Sequence, residues 1–387
     1  MSISGSSHNL IASVSLLDEQ QTIDRIFTHI DEGTTDLGDT VWREPVENYH
    51  SQERFDAEIA LLRRRPVPFC PSAGLPETGS YIARKAAGTP LVVVRGRDGK
   101  VRAFINACRH RGMQVASGSG CSRAFVCPYH AWTYDLEGKL KAIRGPEAFP
   151  EAFPEVNIED HGLTEVSAQE KGGIIYVMQE GKINSQMLEN NLDYFTPEQE
   201  MFQEAEATNK ANWKLITETL LEGYHIKSLH KTTFYPYGLD NVNLVETYGA
   251  NARVTFPFRR IEKLRGIPSD ERRADGMLTT VNHVFPNASI SALSKHSNLT
   301  IMEPLSPNST QMVIYLMTAR LATENSISIE DAKRDAIFVN ESGQDEDLAA
   351  ACSIQETVTA QGNSHLTFGL FEKAIVNFHS NLTASLK

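Results

Sequence analysis

The chain has 387 residues, of which 41% are hydrophobic and 22% charged, and its formal net charge is −12. A length of this order is typical of two domains, and it supplies enough apolar side chains for a core without disulfide bonds. The acidic balance argues against nucleic acid as a partner, and no apolar run approaches the roughly 20 residues that a membrane-spanning helix needs.

The first 41 residues are polar and acidic, and they predict a loose N-terminal arm with one helix around residues 19–30. No Lys or Arg precedes the weak apolar stretch near the start, a composition unlike that of a secretory signal peptide. The five cysteines are odd in number and widely scattered, which argues against a disulfide framework. We therefore expect a cytoplasmic protein.

Residues 42–155 predict a small all-β domain. A helical pattern over residues 51–65 ends before Pro66. Beyond it, short strands alternate with tight turns, as at residues 97–99 and 137–138. The stretch GPEAFPEAFPE at residues 145–155 is rich in proline and acidic residues, and it predicts a linker.

Residues 156–387 predict a larger second domain of the α+β class. The segment GGIIYVMQE is typical of a strand, and ANWKLITETLLEGYH is typical of a helix. Further strands are expected around residues 251–258, 280–293, 297–304 and 310–319, and residues 327–380 are mostly helical in pattern. We expect an antiparallel sheet covered by helices.

Two loops of the small domain carry one cysteine and one histidine each. They are Cys108 with His110, in INACRHRGMQ, and Cys127 with His130, in FVCPYHAW. Two thiolates and two imidazoles suit either tetrahedral zinc or a Rieske [2Fe–2S] cluster, in which the cysteines hold one iron and the histidines the other. One Cys and one His from each loop favours the cluster. Cys121, between the pairs, is interpreted as an ordinary loop cysteine.

The segment EGYHIKSLH carries a second candidate site. Glu218, Glu222 and His225 have the spacing of one helical face, which could be simply a solvated surface. His230 lies five residues beyond His225 and points elsewhere in a regular helix, so the two imidazoles converge only if the helix bulges or breaks near residues 226–229. Two histidines and one carboxylate are the usual ligands of O₂-activating non-haem iron.

The third ligand is expected in the segment ESGQDEDLAAACSIQETV at residues 341–358. Asp347 has helical spacing with three apolar residues, Ala351, Ile354 and Val358, whereas Asp345 and Glu346 fall off that stripe. A buried carboxylate is costly unless it is paired or binds a metal, so Asp347 is the favoured ligand.

These motifs resemble the Rieske non-haem iron oxygenases. The small domain matches in CRHRG and CPYHAWTYDLEGKL, and the second domain in N-W-K-x₃-E-x₃-E-x-Y-H-x₄-H, HVFPNASIS and Glu346-Asp347 followed by Gln355. The resemblance runs from about Trp42 to Phe378. Ala131 departs from the glycine usual in the family's CPYHGW, and Thr219 replaces a common Asn.

The resemblance implies a Rieske domain followed by a catalytic domain of the helix-grip, START-like type. It implies that Cys108, His110, Cys127 and His130 hold the cluster, and that His225, His230 and Asp347 hold a mononuclear Fe(II). It further implies a homotrimer in which Glu222 joins His225 to the partner subunit's His130. The oxygenase would take electrons from NAD(P)H through a separate reductase, with or without a ferredoxin.

The resemblance leaves the substrate open. Hydroxylation of an aromatic or other small organic molecule competes with monooxygenation or demethylation of a quaternary ammonium or methylated compound. Glu222 favours the second, since choline and carnitine oxygenases have Glu where many ring-hydroxylating dioxygenases have Asp. An aromatic cage for such a cation, or plain packing, could be formed by Phe234, Tyr235, Tyr237 and Tyr248. A non-enzymatic Rieske electron carrier is the alternative of another class.

Overall fold

The computed structural model describes residues 16–145, 153–154, 156–320, 327–340, 345–360 and 362–387. Most of the predicted linker at residues 145–155 and the first 15 residues of the predicted N-terminal arm lie outside the described residues. No helix in the described ranges has the length and apolar character of a membrane-spanning helix.

The elements are numbered in chain order within those residues. The helices are α1 (Glu19–Glu32), α2 (Gln52–Arg64), α3 (Trp213–Thr219), α4 (Ile226–Leu229), α5 (Ile329–Val339), α6 (Asp345–Val358) and α7 (Lys373–Ser385). Short 3₁₀ turns occupy Val46–Tyr49, Ser72–Gly74, Ile158–Asp160, Ser185–Leu188, Arg259–Leu264, Ser269–Glu271 and Leu370–Glu372.

The strands of the first half are β1 (Trp42–Pro45), β2 (Val67–Pro71), β3 (Ser80–Ala86), β4 (Thr89–Arg95), β5 (Val101–Ile105), β6 (Gly118–Cys121), β7 (Phe125–Val126), β8 (Thr133–Tyr134), β9 (Leu140–Ala142), β10 (Glu165–Lys171) and β11 (Ile174–Met178). The strands of the second half are β12 (Met201–Asn209), β13 (Leu244–Tyr248), β14 (Asn251–Pro257), β15 (Leu278–Val284), β16 (Ala288–Ala292), β17 (His296–Ser306), β18 (Ser309–Thr318) and β19 (His365–Phe368).

The first sheet has seven antiparallel strands in the order β2-β11-β10-β5-β4-β3-β6, and the three-stranded sheet β7-β8-β9 completes the small domain. Strand β10 pairs with β5 through Glu165 opposite Phe104, and β11 pairs with β2. The sheet therefore continues to Met178, beyond the boundary that the sequence predicts after residue 155. The sequence assigned the strand in GGIIYVMQE to the second domain, but this strand, β11, lies between β2 and β10 in the first sheet, and all five of its residues are buried.

The second sheet also has seven antiparallel strands, in the order β12-β18-β17-β16-β15-β14-β13. Side chains alternate across it, as the pleat of a β-strand requires. In β17, Leu299 and Ile301 face the first sheet and join its core, whereas Asn298 and Thr300 face a cavity on the opposite side. The α+β class with an all-β domain and a larger antiparallel domain is confirmed.

Helices α3, α6 and α7 cover the cavity side of the second sheet and form a second core around Trp213, Ala351 and Phe378. A buried ion pair between Arg84 and Glu303 (2.7 Å) joins the two sheets. The predicted N-terminal helix is α1, which begins with a capping box of Asp18 and Gln21 and ends at Gly33 in the left-handed conformation. These contacts hold in place the sheets and helices that carry the candidate sites.

Candidate functional site

The two Cys/His loops of the small domain have the same backbone hydrogen bonds. In each loop the cysteine amide donates to the carbonyl five residues later, at 2.8 Å for both Cys108 and Cys127. The amide four residues after each cysteine, that of Gly112 or Ala131, donates back to the cysteine carbonyl at 2.8 and 2.9 Å. The first loop joins β5 to β6, and the second joins β7 to β8. The two loops therefore have the same turn geometry, and the two turns face each other.

The four predicted ligands lie at the tips of these loops. Both cysteines are buried, and the rings of His110 and His130 lie 4.6 Å apart between centroids, with His110 stacked on Trp132. The Nδ1 atom of His130 is buried and makes no hydrogen bond within the described residues. A buried nitrogen without a partner is costly unless it binds a metal, so the donor set fits a cluster held by two thiolates and two imidazoles.

The helix that precedes the second site is shorter than the sequence predicts. Helix α3 ends at Thr219, so Glu222 and His225 do not continue its face. The predicted break near residues 226–229 is also wrong, since those residues form the single turn α4, with His225 at its N-terminal cap and His230 at its C-terminal cap. The chain bends between residues 220 and 225 instead, and it brings the two imidazoles to 5.1 Å between centroids.

Asp347, near the start of α6, completes the group. Its Oδ1 lies 3.0 Å from His230 Nε2 and 3.4 Å from His225 Nε2. One donor atom from each of the three residues lies within 4.8 Å of the others. The Oδ1 atom is buried and accepts no hydrogen bond of good geometry. Three convergent atoms of this kind match the two-histidine, one-carboxylate set that binds non-haem iron.

Two further carboxylates hold the imidazoles from behind. His225 Nδ1 donates to Glu222, and His230 Nδ1 donates to Glu346 (2.7 Å), which Thr233 Oγ1 also contacts at 2.7 Å. Such partners fix the ring orientation and direct the second nitrogen toward a metal. The roles of Glu346 and Thr233 were not predicted from the sequence. The signal for Glu346 was present, since the residue next to Asp347 in a helix points about 100° away and reaches the other side of His230.

The carboxylates also shift the charge state of the rings. Burial alone would lower the pKa of His225 and His230, but the neighbouring carboxylates outweigh it and raise both pKa values above the ordinary one. His230 in turn lowers the pKa of Glu346 through their hydrogen bond. The site is therefore arranged to attract a positive charge.

Helix α6 is fixed against α3 by a polar contact. Gln355 Oε1 accepts a hydrogen bond from the Asn212 amide (2.7 Å), and Asn212 caps α3. Gln355 is buried, whereas Ile354 is 38% exposed, so the predicted apolar stripe is correct at Ala351 and Val358 but wrong at Ile354. This contact fixes α6 in the position that places Asp347 beside His225 and His230.

A buried polar network lies behind α3. Lys214 Nζ contacts both Glu58 oxygens at 2.8 and 2.9 Å, and both side chains are almost completely buried. Farther along the helix, Glu218 accepts hydrogen bonds from Tyr49 (2.7 Å) and His379 (2.8 Å). These bonds tie α3 to the N-terminal segment and to α7, so the helix that leads to His225 is fixed on two sides.

The three convergent residues line a cavity of about 980 Å³ between the second sheet and its helices. Of the aromatic residues predicted as a cage, Phe234 and Tyr237 line it. Tyr235 and Tyr248 are not among the described lining residues, and Tyr248 is buried beside Tyr194. The floor includes the hydroxyls of Thr279 and Ser289, which are buried and make no hydrogen bond within the described residues. The cavity is thus mainly apolar, with polar groups at its floor.

Comparison with known proteins places both halves of the chain. Residues 65–156 match the Rieske [2Fe-2S] domain, and residues 195–387 match the ring hydroxylating alpha subunit catalytic domain. The chain is 30% identical to the 2-aminobenzenesulfonate 2,3-dioxygenase subunit alpha of an Alcaligenes species, over 68% of this chain and 71% of that one. It is also 30% identical to the carnitine monooxygenase oxygenase subunit of Acinetobacter pittii, where the match covers 50% of this chain but only 53%, about half, of the relative.

Solved structures give the same fold. A quaternary ammonium Rieske monooxygenase in complex with L-carnitine aligns with a TM-score of 0.74 at 20% identity, over 89% of this chain and 96% of that one. Naphthalene 1,2-dioxygenase with indole bound aligns with a TM-score of 0.71 at 18% identity, over 89% and 92%. At these identities the likeness concerns the fold alone. The family matches and the dioxygenase relative together show that the chain belongs to the Rieske non-haem iron oxygenases, with a Rieske [2Fe–2S] domain followed by a ring-hydroxylating alpha-type catalytic domain.

Proposed function

We propose that this chain is the terminal oxygenase component of a multicomponent enzyme, which uses O₂ and electrons from NAD(P)H to hydroxylate a small organic molecule. One observation carries the proposal: His225, His230 and Asp347 present convergent donor atoms to a cavity of about 980 Å³ in a chain that also has a Rieske domain. A cavity of this size accommodates a small organic substrate. An electron carrier would need neither the three donors nor the cavity.

The side chains around the site have separate tasks in this proposal. Iron held by two imidazoles and one carboxylate keeps open positions and supplies the O₂-activating chemistry when bound. Glu222 and Glu346 keep the Nδ1 protons of His225 and His230 and so direct both Nε2 atoms inward. The apolar wall, which includes Phe234 and Leu220, orients the substrate and limits the entry of water.

We propose that Glu222 also links two subunits. In a homotrimer it would accept a hydrogen bond from the partner subunit's His130 while it holds its own His225. The position of Glu222 beside His225 supports this role, as does the neighbouring Tyr224, an aromatic side chain that is 59% exposed in the single chain. A large exposed aromatic residue is typical of a surface that meets another protein.

The further partners are proposed on the family resemblance. A separate NAD(P)H-dependent reductase, with or without a ferredoxin, would supply the electrons, and the complex would act in the cytoplasm.

Monooxygenation of a quaternary ammonium compound is a second candidate. Phe234 and Tyr237 offer aromatic faces in the cavity, which suit such a cation. Glu222, at the position proposed to link two subunits, supports the same hypothesis. The relatives named for carnitine and choline monooxygenation are consistent with it.

The test is turnover by the purified, iron-loaded chain, driven by NADH with a generic ferredoxin–reductase pair or by peroxide. The substrates are a panel of arenes, methoxyarenes, aromatic acids and quaternary amines, and the products are identified by mass spectrometry. We expect oxygenated product from one class and about three irons per chain. About two irons per chain and no product from any class would support an electron carrier instead.

A further inference from the structure

Positive side chains gather where the cavity opens, although the chain as a whole is acidic. Arg259, Arg260 and Lys295 all line the cavity and are exposed. Other arginines near them in the chain pair with carboxylates, as Arg253 does with Glu246 and Arg265 with Asp31. Neither Arg259 nor Arg260 forms an ion pair in the part of the chain that the structure describes.

Both guanidinium groups are held in place by neutral partners. Arg260 donates to the Gly276 carbonyl and to Ser294 Oγ (3.1 Å), and its guanidinium lies 4.8 Å from the centroid of Phe258. Arg259 donates to the Tyr235 carbonyl (3.3 Å) and lies 4.9 Å from the centroid of that ring. Carbonyls and aromatic faces position the two cations without neutralising their charge.

The acidic residues of the same opening do not cancel this charge. Asp335 accepts hydrogen bonds from His296 Nδ1 and from the Lys295 amide, each at 2.8 Å. Lys295 Nζ lies 3.8 Å from Asp331. Among the described residues at the opening, the cavity lining holds three cations, Arg259, Arg260 and Lys295, and two carboxylates, Asp275 and Asp335, so it keeps an excess of one positive charge.

A row of rings connects the opening with the donor atoms. The centroid of His230 lies 6.4 Å from that of Phe234, which lies 5.5 Å from that of Phe258, the ring that Arg260 covers. The cavity therefore has donor atoms at one end of an aromatic row and guanidinium groups at the other. A molecule with an apolar body and an anionic end is complementary to this arrangement.

We infer that the substrate carries a carboxylate or sulfonate that Arg259 and Arg260 bind at the cavity opening, while its apolar body lies along Phe234 and Phe258 toward His225 and His230. This inference rests on the proposed function, since it takes the cavity to be the substrate site. Arginine suits both anions, because its planar fork donates two hydrogen bonds at once. A cation with no anionic group would be repelled at the opening, whereas a zwitterion would satisfy it.

The test is equilibrium binding to the full-length, iron-loaded chain by isothermal titration calorimetry. The probes are benzoate, benzenesulfonate, the neutral isostere benzamide and phenyltrimethylammonium. We expect at least one of the two anions to bind about ten-fold more tightly than benzamide, as charged hydrogen bonds allow. That preference should weaken as salt is raised from 50 to 300 mM, because the arginines are exposed.

Substitutions locate the preference. R259Q with R260Q should weaken anion binding about ten-fold and leave benzamide binding unchanged. R260K should retain part of the preference, because it keeps the charge but loses the fork. The matched control is R273Q, since Arg273 is exposed nearby and, among the residues that the structure describes, bonds only to backbone carbonyls and does not line the cavity.

Each outcome bears on the inference. Four results would overturn it. The anions could bind no more tightly than benzamide, or phenyltrimethylammonium could bind more tightly than the anions. R273Q could weaken anion binding as much as R259Q with R260Q, or no anion could bind at 10 mM. An anion preference that depends on Arg259 and Arg260, in a chain that oxygenates none of the panel, would support this inference and count against the proposed function. Oxygenation of neutral arenes alone would support the proposed function and count against this inference.

Discussion

The two candidate metal centres are built in opposite ways. All four cluster residues lie between residues 108 and 130, on two loops with the same hydrogen bonds. The second centre joins His225 and His230 to Asp347, more than a hundred residues later in the chain. The first centre is fixed by backbone hydrogen bonds within each loop, and the second by the packing of α6 against α3.

This difference determines what each centre depends on. The cluster loops need only their own sheets, because each turn closes on itself. The second centre depends on distant contacts, such as Gln355 with Asn212 and Lys214 with Glu58. A change far from His225 can therefore disturb the second centre and leave the first intact.

The largest effect is expected from Asp347→Ala. It removes the carboxylate that lies 3.0 Å from His230 Nε2 and leaves two imidazoles to hold the ion. We expect turnover to fall by more than about 100-fold, since even weaker changes around metal ligands cost 10- to 100-fold. Iron should drop from about three to about two per chain, with an unchanged cluster absorbance spectrum.

The matched control for that change is Asp345→Ala, in the same turn of α6 but exposed and outside the group of three. It should retain iron and activity. If Asp347→Ala kept its third iron, or also bleached the cluster, the separation of the two centres would be wrong.

Replacing Lys214 by Met tests the distant support of the second centre. It leaves the Glu58 carboxylate buried with only Arg54 and Trp213 as polar partners. Because Arg54 still pairs with Glu58, we expect a loss of up to about 3 kcal/mol in the free energy of unfolding, the cost of leaving part of a buried acceptor unsatisfied. Urea unfolding followed by tryptophan fluorescence should show this loss, with cluster absorbance recorded in parallel.

The comparison variant is Lys171→Met. Lys171 lies 3.8 Å from Asp193 in an exposed pair, and its removal should cost less than about 1 kcal/mol. A similar loss in both variants would mean that burial of the Lys214 pair does not matter.

His283 contrasts with His225, because it is a buried histidine of the second domain and no carboxylate of the described residues acts on it. Its Nε2 donates to the Pro286 carbonyl (3.1 Å), and His379 of α7 is the titratable group that acts on it. Burial lowers the pKa of His283 to about 4, against about 6.5 in the unfolded chain. Between these values the unfolded chain binds a proton that the folded chain does not.

Stability should therefore fall as the pH is lowered from about 6.5 to about 4, and His283 should account for about 3 kcal/mol of that fall. Below about 4 both states carry the proton and its contribution no longer changes. Unfolding of His283→Gln should show a correspondingly shallower pH dependence. His365→Gln, at an exposed position of β19, should keep the slope of the unmodified chain.

The contrast between the two centres also explains what the sequence could predict. Local spacing was sufficient for Cys108, His110, Cys127 and His130 to be proposed together, because one short turn was repeated. The residue type and helical spacing of Asp347 were informative as well. The bend at residues 220–225 was not predicted, since Leu220 and Leu221 favour a helix and Gly223 was the only local signal against one. The extension of the first sheet to Met178 was missed because strand pairing is not a local property.

The smallest effect is expected from Ala131→Gly, which tests how alike the two cluster loops are. Ala131 has a φ of 57°, and Gly112 occupies the same place in the other loop with a φ of 76°. The left-handed conformation costs a residue with a Cβ about 1–2 kcal/mol, and glycine avoids that cost but loses more entropy on folding, about 0.5–1 kcal/mol. The substitution should therefore stabilise the small domain by about 0.5–1 kcal/mol.

The measurement is the urea midpoint for loss of cluster absorbance, which should rise in Ala131→Gly. The comparison variant is Ala87→Gly, at another alanine with positive φ (46°), in the turn between β3 and β4. Ala87→Gly should give a smaller gain or none in the unfolding of the first sheet, because the Ala87 methyl is buried in its core, and no change in the rate at which the folded protein loses its cluster. A lower midpoint in Ala131→Gly would mean that the Ala131 methyl packs over the cluster and that the equivalence of the two loops ends at their backbones.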